Sequence, residues 1–159
     1  MKTLEADKAE LEEASEDSRL WGFMNRRVIA EGDNVYLDRL SLITTPWFSI
    51  KLHRIYRPDQ QRDLHDHPWN FLSIVLRGEY VEDVPCLHKV YAQKAHREVR
   101  HIRWFNWKKA EDLHAISWVS RSPVWTLVVT GPRRRVWGFF VEKLKQWVAW
   151  DKYDKLNNP

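Results

Sequence analysis

The run Val124-Trp125-Thr126-Leu127-Val128-Val129-Thr130 constrains the fold more than any other stretch of this chain. Every residue in it is β-branched, aromatic or leucine. Ser122-Pro123 and Gly131-Pro132 break the chain on either side. A segment that short, that apolar and that firmly bounded predicts a strand rather than a helix. Similar runs recur at residues 35–43, 47–56, 71–76, 80–84, 102–107, 115–119 and 136–141. In the second of them Phe48, Ile50 and Leu52 alternate with Ser49, Lys51 and His53, the period of two of a half-buried strand. Turn formers separate the runs: Glu31-Gly32-Asp33-Asn34, Thr44-Thr45-Pro46, a polar loop over residues 57–63, and Gly78. Residues 85–103 fit either a two-stranded ribbon or an irregular insertion. Many short strands with regular turns predict an all-β barrel or double-sheet sandwich.

Helix is expected only at the ends. Residues 1–24 are rich in Ala, Glu, Leu and Lys with no proline, and residues 1–30 are expected to form a helical segment packed on or extending from the barrel. The remainder, 31–159, would be the barrel with a C-terminal extension. There Trp147, Trp150 and Tyr153 recur at the spacing of one helix face, and a short helix or an irregular segment both fit. A length of 159 residues suits one domain with a real core.

Two histidines stand one residue apart in Leu64-His65-Asp66-His67-Pro68-Trp69. In an extended strand residues i and i+2 share a face, so His65 and His67 aim at one point while Asp66 faces the other way. Converging imidazoles are what a divalent metal requires. Pro68 cannot sit in a central ladder and suggests a bulge or a strand junction beside the pair. His114, ahead of the 115–119 strand, is a third candidate ligand. His53 lies on a neighbouring strand and is a candidate for the cavity lining, as is Trp69 beside the histidines. His88, His96 and His101 read as structural or solvent-exposed.

These residues carry a resemblance. The histidine strand resembles the first motif of the cupin superfamily: His-x-His, a Glu a few residues later, then a Gly, on a double-sheet jelly-roll barrel. His65, His67 and Gly78 match in spacing, whereas Phe71 and Leu72 stand where the Glu would fall. His114 matches the later histidine of the second motif, with Lys109 and Glu111 in place of the usual Pro and Gly. The chain is also similar to small cupin-like proteins of bacteria and their viruses through His65-Asp66-His67-Pro68-Trp69, Ala110-Glu111-Asp112-Leu113-His114, and Gly131-Pro132-Arg133-Arg134-Arg135 before Trp137-Gly138-Phe139. The resemblance implies a metal centre of His65, His67 and His114 holding a divalent ion, with Fe(II) the first choice and Zn, Ni or Mn as alternatives. Three-histidine cupins include thiol dioxygenases, so an oxygenation or other metal-assisted step is implied. Cupin-like barrels often pair through their sheets, which makes a homodimer an expectation.

Charge narrows the ligand. Residues 1–20 carry seven acids and three bases, a net of −4, and the rest carries +8. A basic body suits an anionic small molecule. Losing the motif carboxylate raises the charge of the centre by one unit, which favours the same class. Arg133 and Arg135, alternate members of an arginine run, are the expected anion contacts. No named nucleic-acid-binding motif is present, so that partner ranks last. The single Cys86 precludes an internal disulfide, and no run reaches the roughly 18 apolar residues of a membrane span. A soluble, cytoplasmic protein is expected. Two other functions remain open at this point: a non-catalytic cupin that binds or senses a ligand, and a metal-free isomerase or epimerase using one histidine as general base.

Overall fold

The computed structural model describes residues 21–31, 34–59, 63–86, 97–120 and 122–157. Among the described residues, twelve strands and one helix run in the order β1 (Gly22–Glu31), β2 (Asn34–Thr44), β3 (Ser49–Ile55), β4 (Leu64–His65), β5 (Phe71–Arg77), β6 (Tyr80–Pro85), β7 (Arg97–Ile102), β8 (Phe105–Lys108), β9 (Ala115–Val119), β10 (Val124–Thr130), β11 (Gly138–Val141), β12 (Gln146–Ala149) and α1 (Trp150–Asn157). One layer has six antiparallel strands in the order β1-β2-β3-β10-β5-β8. Two three-stranded ribbons, β12-β11-β4 and β7-β6-β9, make the rest. The ribbons meet at a single pair. His65 and His114 each donate a backbone N–H to the other's carbonyl at 2.9 Å. Through that pair the second layer reads β12-β11-β4, then His114 leading into β9, then β6 and β7. The seam between the ribbons is thus made by two of the candidate ligands.

Alternation explains what lies between the layers. β10 buries Val124, Thr126, Val128 and Thr130. Its register partner β3 buries Ser49, Lys51 and Ile55 and leaves Ile50 and Leu52 half-exposed, so the polar set of that strand faces inward. Polar groups between sheets cost free energy unless they find partners. Ser49 Oγ and Thr130 Oγ1 meet at 2.7 Å. The apolar core lies to one side of this polar floor: Ile29, Leu37, Ile55, Tyr80, Ile102 and Val124 pack together from both layers. Each such side chain contributes about 1.5–3 kcal/mol on burial. A second cluster, Trp137, Phe139 and Tyr153, docks α1 on β11, with the Phe139 and Tyr153 rings stacked 4.1 Å apart.

The ends differ from expectation. Residues 1–20 of the expected N-terminal helix lie outside the described residues. The stretch from Gly22 to Ala30 is strand, not helix, because tertiary pairing overrides its helical composition. β1 pairs with β2 from Gly22↔Thr44 to Glu31↔Asn34, with one register shift, between Ile29 and Ala30. Arg26 on β1 also grips the buried Asp38 on β2 at 3.0 and 2.9 Å, and Arg54 on β3 holds the same carboxylate. At the C-terminus the helix starts at Trp150, while Trp147 belongs to a strand that hairpins onto β11. Within residues 85–103, Arg97–Ile102 form β7, which pairs along β6 in the three-stranded ribbon, and residues 87–96 lie outside the described set.

Glycine is required at two positions of this path. Gly78 has φ +80° between β5 and β6, and a Cβ there would also come within 3.1 Å of Val124. Gly138 is needed for space. A Cβ would lie 2.2 Å from Val148 O and 2.9 Å from Ala149 Cα, backbone atoms that cannot yield without opening the hairpin. Gly138→Ala is expected to cost about 2–3 kcal/mol in urea denaturation. A cost within experimental error of zero would contradict this packing.

Candidate metal centre

β4 is only two residues long and fixes His65, while His67, just beyond it, donates its backbone N–H to Ala110 O at 3.0 Å. Its neighbour β11 pairs Phe139 with His65 and Phe140 with Leu64. Asp66, buried on the opposite face, accepts hydrogen bonds from Gly138 N–H at 2.7 Å and from Trp147 Nε1–H at 2.9 Å. Arg135 Nη1 stands 3.0 Å from the same carboxylate, and its guanidinium lies over the Trp147 ring. Burial pushes the Asp66 carboxyl up, opposed by Gly138, Arg135 and Trp147. Beyond the pair, Pro68 O accepts Arg134 N–H at 2.7 Å. The kink after the histidines is therefore tied to the arginine run through the backbone, and Asp66 fastens the outer side of the site.

On the inner side three imidazoles converge. Ring centroids are 5.1 Å apart for His65 and His67, 4.9 Å for His65 and His114, and 5.0 Å for His67 and His114. One ring nitrogen from each lies within 4.8 Å of the other two. His67 Nε2 and His114 Nε2 are 2.8 Å apart. Two nitrogens bound at right angles to one ion at 2.0–2.1 Å would stand about 2.9 Å apart, so the spacing fits a shared ion. Burial, then the neighbouring imidazoles, hold His67 well below its usual pKa, and burial lowers His114 as well. Both rings are neutral donors at physiological pH, the form a metal binds.

A carboxylate that the sequence reading did not single out orients His114. Glu82, with no exposed surface, accepts a hydrogen bond from His114 Nδ1–H through Oε2 at 3.0 Å. Lys108 Nζ donates to its Oε1 at 2.6 Å and Asn106 Nδ2 donates to Oε2 at 2.9 Å. Burial alone would raise the Glu82 carboxyl, but the His114 and Lys108 contacts overcome it and bring it down to about 2. An ionised carboxylate only accepts, so His114 carries its proton on Nδ1 and turns the Nε2 lone pair toward His67. The signal was present in β6: Glu82 is in phase with Tyr80 and Val84, two positions that face the core. Where the cupin motif would place its Glu, Phe71 sets its ring edge-on to His67 at 4.7 Å. The centre thus has three imidazoles with a carboxylate behind one of them and an aromatic wall beside another.

The histidines open on a cavity of about 110 Å³ between the layers. Its far wall is the inward face of β2, β3 and β10. Trp69 and His53 line it, as do Lys51, Arg39 and Thr126, which sequence reasoning left out. Lys51 Nζ sits 4.6 Å from the centre of the Trp69 ring. His53 Nε2 accepts a hydrogen bond from Arg39 Nε at 3.0 Å. Asp59 also lines the cavity, taking hydrogen bonds from the Tyr36 hydroxyl and from Ile116 N–H, with His65 Nδ1 4.0 Å away. Arg133 and Arg135 are not among the lining residues.

No family model matches the sequence, and no curated protein matches it. Among solved structures the chain is similar to a cupin superfamily protein from Desulfitobacterium hafniense, with 14% identity, 60% of this chain and 77% of that one covered, and a TM-score of 0.43. It is similar to hydroxypropylphosphonic acid epoxidase from S. wedmorenis at 13% identity, covering 72% of this chain and 60% of that one, with a TM-score of 0.48. Oxalate decarboxylase from Bacillus subtilis gives 10% identity, 73% and 30% coverage, and a TM-score of 0.48. The chain therefore spans 60% of the length of the epoxidase and 30% of that of the decarboxylase.

Proposed function

We propose that this protein is a metal-dependent cupin that binds a divalent ion through His65, His67 and His114 and acts on a small polar or anionic molecule. The observation that carries the reading is the convergence of three ring nitrogens within 4.8 Å of one another beside a cavity. Neutral imidazoles suit Fe(II), Zn(II) or Ni(II), with Fe(II) the first choice, and leave further coordination positions for a ligand. A bound ion would supply Lewis-acid or redox chemistry. The chain's own residues do the rest. Glu82 keeps the proton on His114 Nδ1. Phe71 and Trp69 exclude bulk water from the ligand side. Asp66 holds β4 against β11, so that the rings keep their angle.

The test is elemental analysis of the purified protein and of its His67→Ala and His114→Ala variants. Wild type is expected to hold about one equivalent of metal, and either substitution to abolish stoichiometric binding. Stoichiometric metal that survives both substitutions overturns the assignment.

The His114–Glu82 contact favours one alternative, a metal-free isomerase in which an oriented histidine moves a proton at the substrate carbon. Chelation separates the two readings. The metal enzyme loses activity in EDTA and recovers with added ion, whereas the isomerase is indifferent to both.

A further inference from the structure

The three imidazoles are set in place by different means. His114 is turned by the Glu82 carboxylate, and His67 is tied through its backbone N–H to Ala110 O. Beside His65, Asp59 Oδ2 stands 4.0 Å from Nδ1, too far for a hydrogen bond. The His65 ring lies instead against Trp137 and Phe139, with centroids 6.5 and 6.1 Å away. The place of this ligand is therefore set by the short strand that carries it and by the aromatic pair behind it. A strand of two residues has few ladder bonds of its own, so the side chains at its ends decide where it lies.

Both supports lead to one buried residue of the C-terminal helix, Tyr153. Its ring stacks on Phe139, the cross-strand partner of His65, at 4.1 Å with 26° between the planes. Its hydroxyl donates to Asp63 Oδ2 at 2.9 Å, and Asp63 leads directly into β4. The other oxygen of Asp63 accepts Glu142 N–H at 3.1 Å, just past the end of β11. α1 is seated in turn by Trp150, whose N–H donates to Trp137 O at 3.2 Å. Asp66 fastens the other end of β4 to Gly138 and Trp147. Tyr153 is thus the point where the helix meets both the entry to β4 and the ring behind His65.

We propose that Tyr153 is a positioning residue of the metal centre: by gripping Asp63 and backing Phe139, it makes the C-terminal helix a clamp that sets His65 for the ion. The clamp deepens the three-histidine reading and rests on it. It makes affinity for the ion depend on a helix none of whose described side chains lines the cavity.

Two readouts on the full chain test it. Amide hydrogen exchange in EDTA follows His65 N–H, which is bonded to His114 O at 2.9 Å, and competitive titration with Zn(II) follows the centre. Tyr153→Phe keeps the stack and removes the hydroxyl. It is expected to speed His65 exchange and to weaken Zn(II) binding about fivefold each, the worth of one hydrogen bond. Exchange of His67 N–H, beyond the Asp66 anchor, should stay within about twofold of wild type. Asp63→Ala should do at least as much as Tyr153→Phe, and on that background the Tyr153 change should add little, since the two groups share one contact. Asp63→Asn can accept Glu142 N–H and donate its amide to the Tyr153 oxygen, so it should bind Zn(II) within about twofold of wild type. Val124→Ala opens the other core cluster and controls for lost stability alone: its urea midpoint should fall while Zn(II) affinity holds. Unchanged His65 exchange in Tyr153→Phe, faster exchange with unchanged Zn(II) affinity, or an equal Zn(II) loss in Val124→Ala each overturns the clamp. A wild type that binds no Zn(II) overturns the metal-centre reading instead, and His65 exchange then decides alone whether Tyr153 holds β4.

Discussion

Lys108→Met is expected to destabilise the protein by about 3–5 kcal/mol, the cost of stripping a buried charge of its partner. The Lys108 side chain is 3% exposed and that of Glu82 is wholly buried. With the ammonium gone, Glu82 must either stay ionised beside Asn106 and His114 alone or take up a proton. If it takes the proton, it stops accepting cleanly from His114 Nδ1–H, and the ring is free to turn or to move its proton to Nε2. Stability and metal binding should therefore fall together. The double variant Lys108→Met with Glu82→Gln removes both charges and should recover most of the stability. It should not recover the metal, because a Gln amide can present either its oxygen or its NH2 to His114. Loss of an orienting carboxylate typically lowers metal affinity by about 10–100-fold. Urea denaturation and metal titration of wild type and the two variants decide the matter. A single-variant loss below about 1 kcal/mol would mean that the pair is not buried as described.

That pair also shows where sequence reading stops. The strands were legible because each run of β-branched and aromatic residues is short and bounded, and the alternation along β10 and β3 is plain. His65 and His67 were legible as a pair because i and i+2 share a face. Which face of a strand turns inward was not legible. On β3 the apolar set, Ile50 and Leu52, resembles a core face, yet Ser49 and Lys51 are the buried ones. A sheet that encloses a polar cavity reverses the usual reading, and only the partner strand reveals it. Glu82, Asn106 and Lys108 come from β6 and β8, which do not pair with each other, and they meet only because the two layers face each other. The arginine run illustrates the converse. Arg135 matched an anion contact by type and spacing, and in the structure it stands against Asp66, a carboxylate of the chain itself. The first strand was missed because residues 22–30 have no partner until β2 lies beside them.

Acid should unfold the metal-free protein in a window that the histidines set. His53, His67 and His114 are all held below the ordinary imidazole value of 6.5, His53 and His67 well below it, with burial the leading cause in each. The unfolded chain binds these three protons near pH 6.5 and the native chain refuses them. Stability is therefore fully present above pH 6.5 and falls as the pH drops. Each refused proton costs about 1.4 kcal/mol per pH unit, so three together remove up to about 4 kcal/mol per unit below that point. Against a total of about 5–15 kcal/mol, this is a dominant effect. Glu82 adds a separate loss at lower pH, as its carboxyl titrates from about 4.5 in the unfolded chain to about 2 in the folded one. Asp66 runs the other way, since burial raises its carboxyl, but it offsets one proton against three. Urea denaturation in EDTA at pH 7.5, 6.5 and 5.5 measures the slope. His53→Gln keeps an acceptor for Arg39 and removes one titrating group, so its slope should fall by about one third. Stability that stays level from pH 7.5 to 5.5, or a His53→Gln slope equal to that of wild type, would mean that these rings are not held neutral by burial. In that case the imidazoles would not be the ready, unprotonated donors on which the metal centre depends.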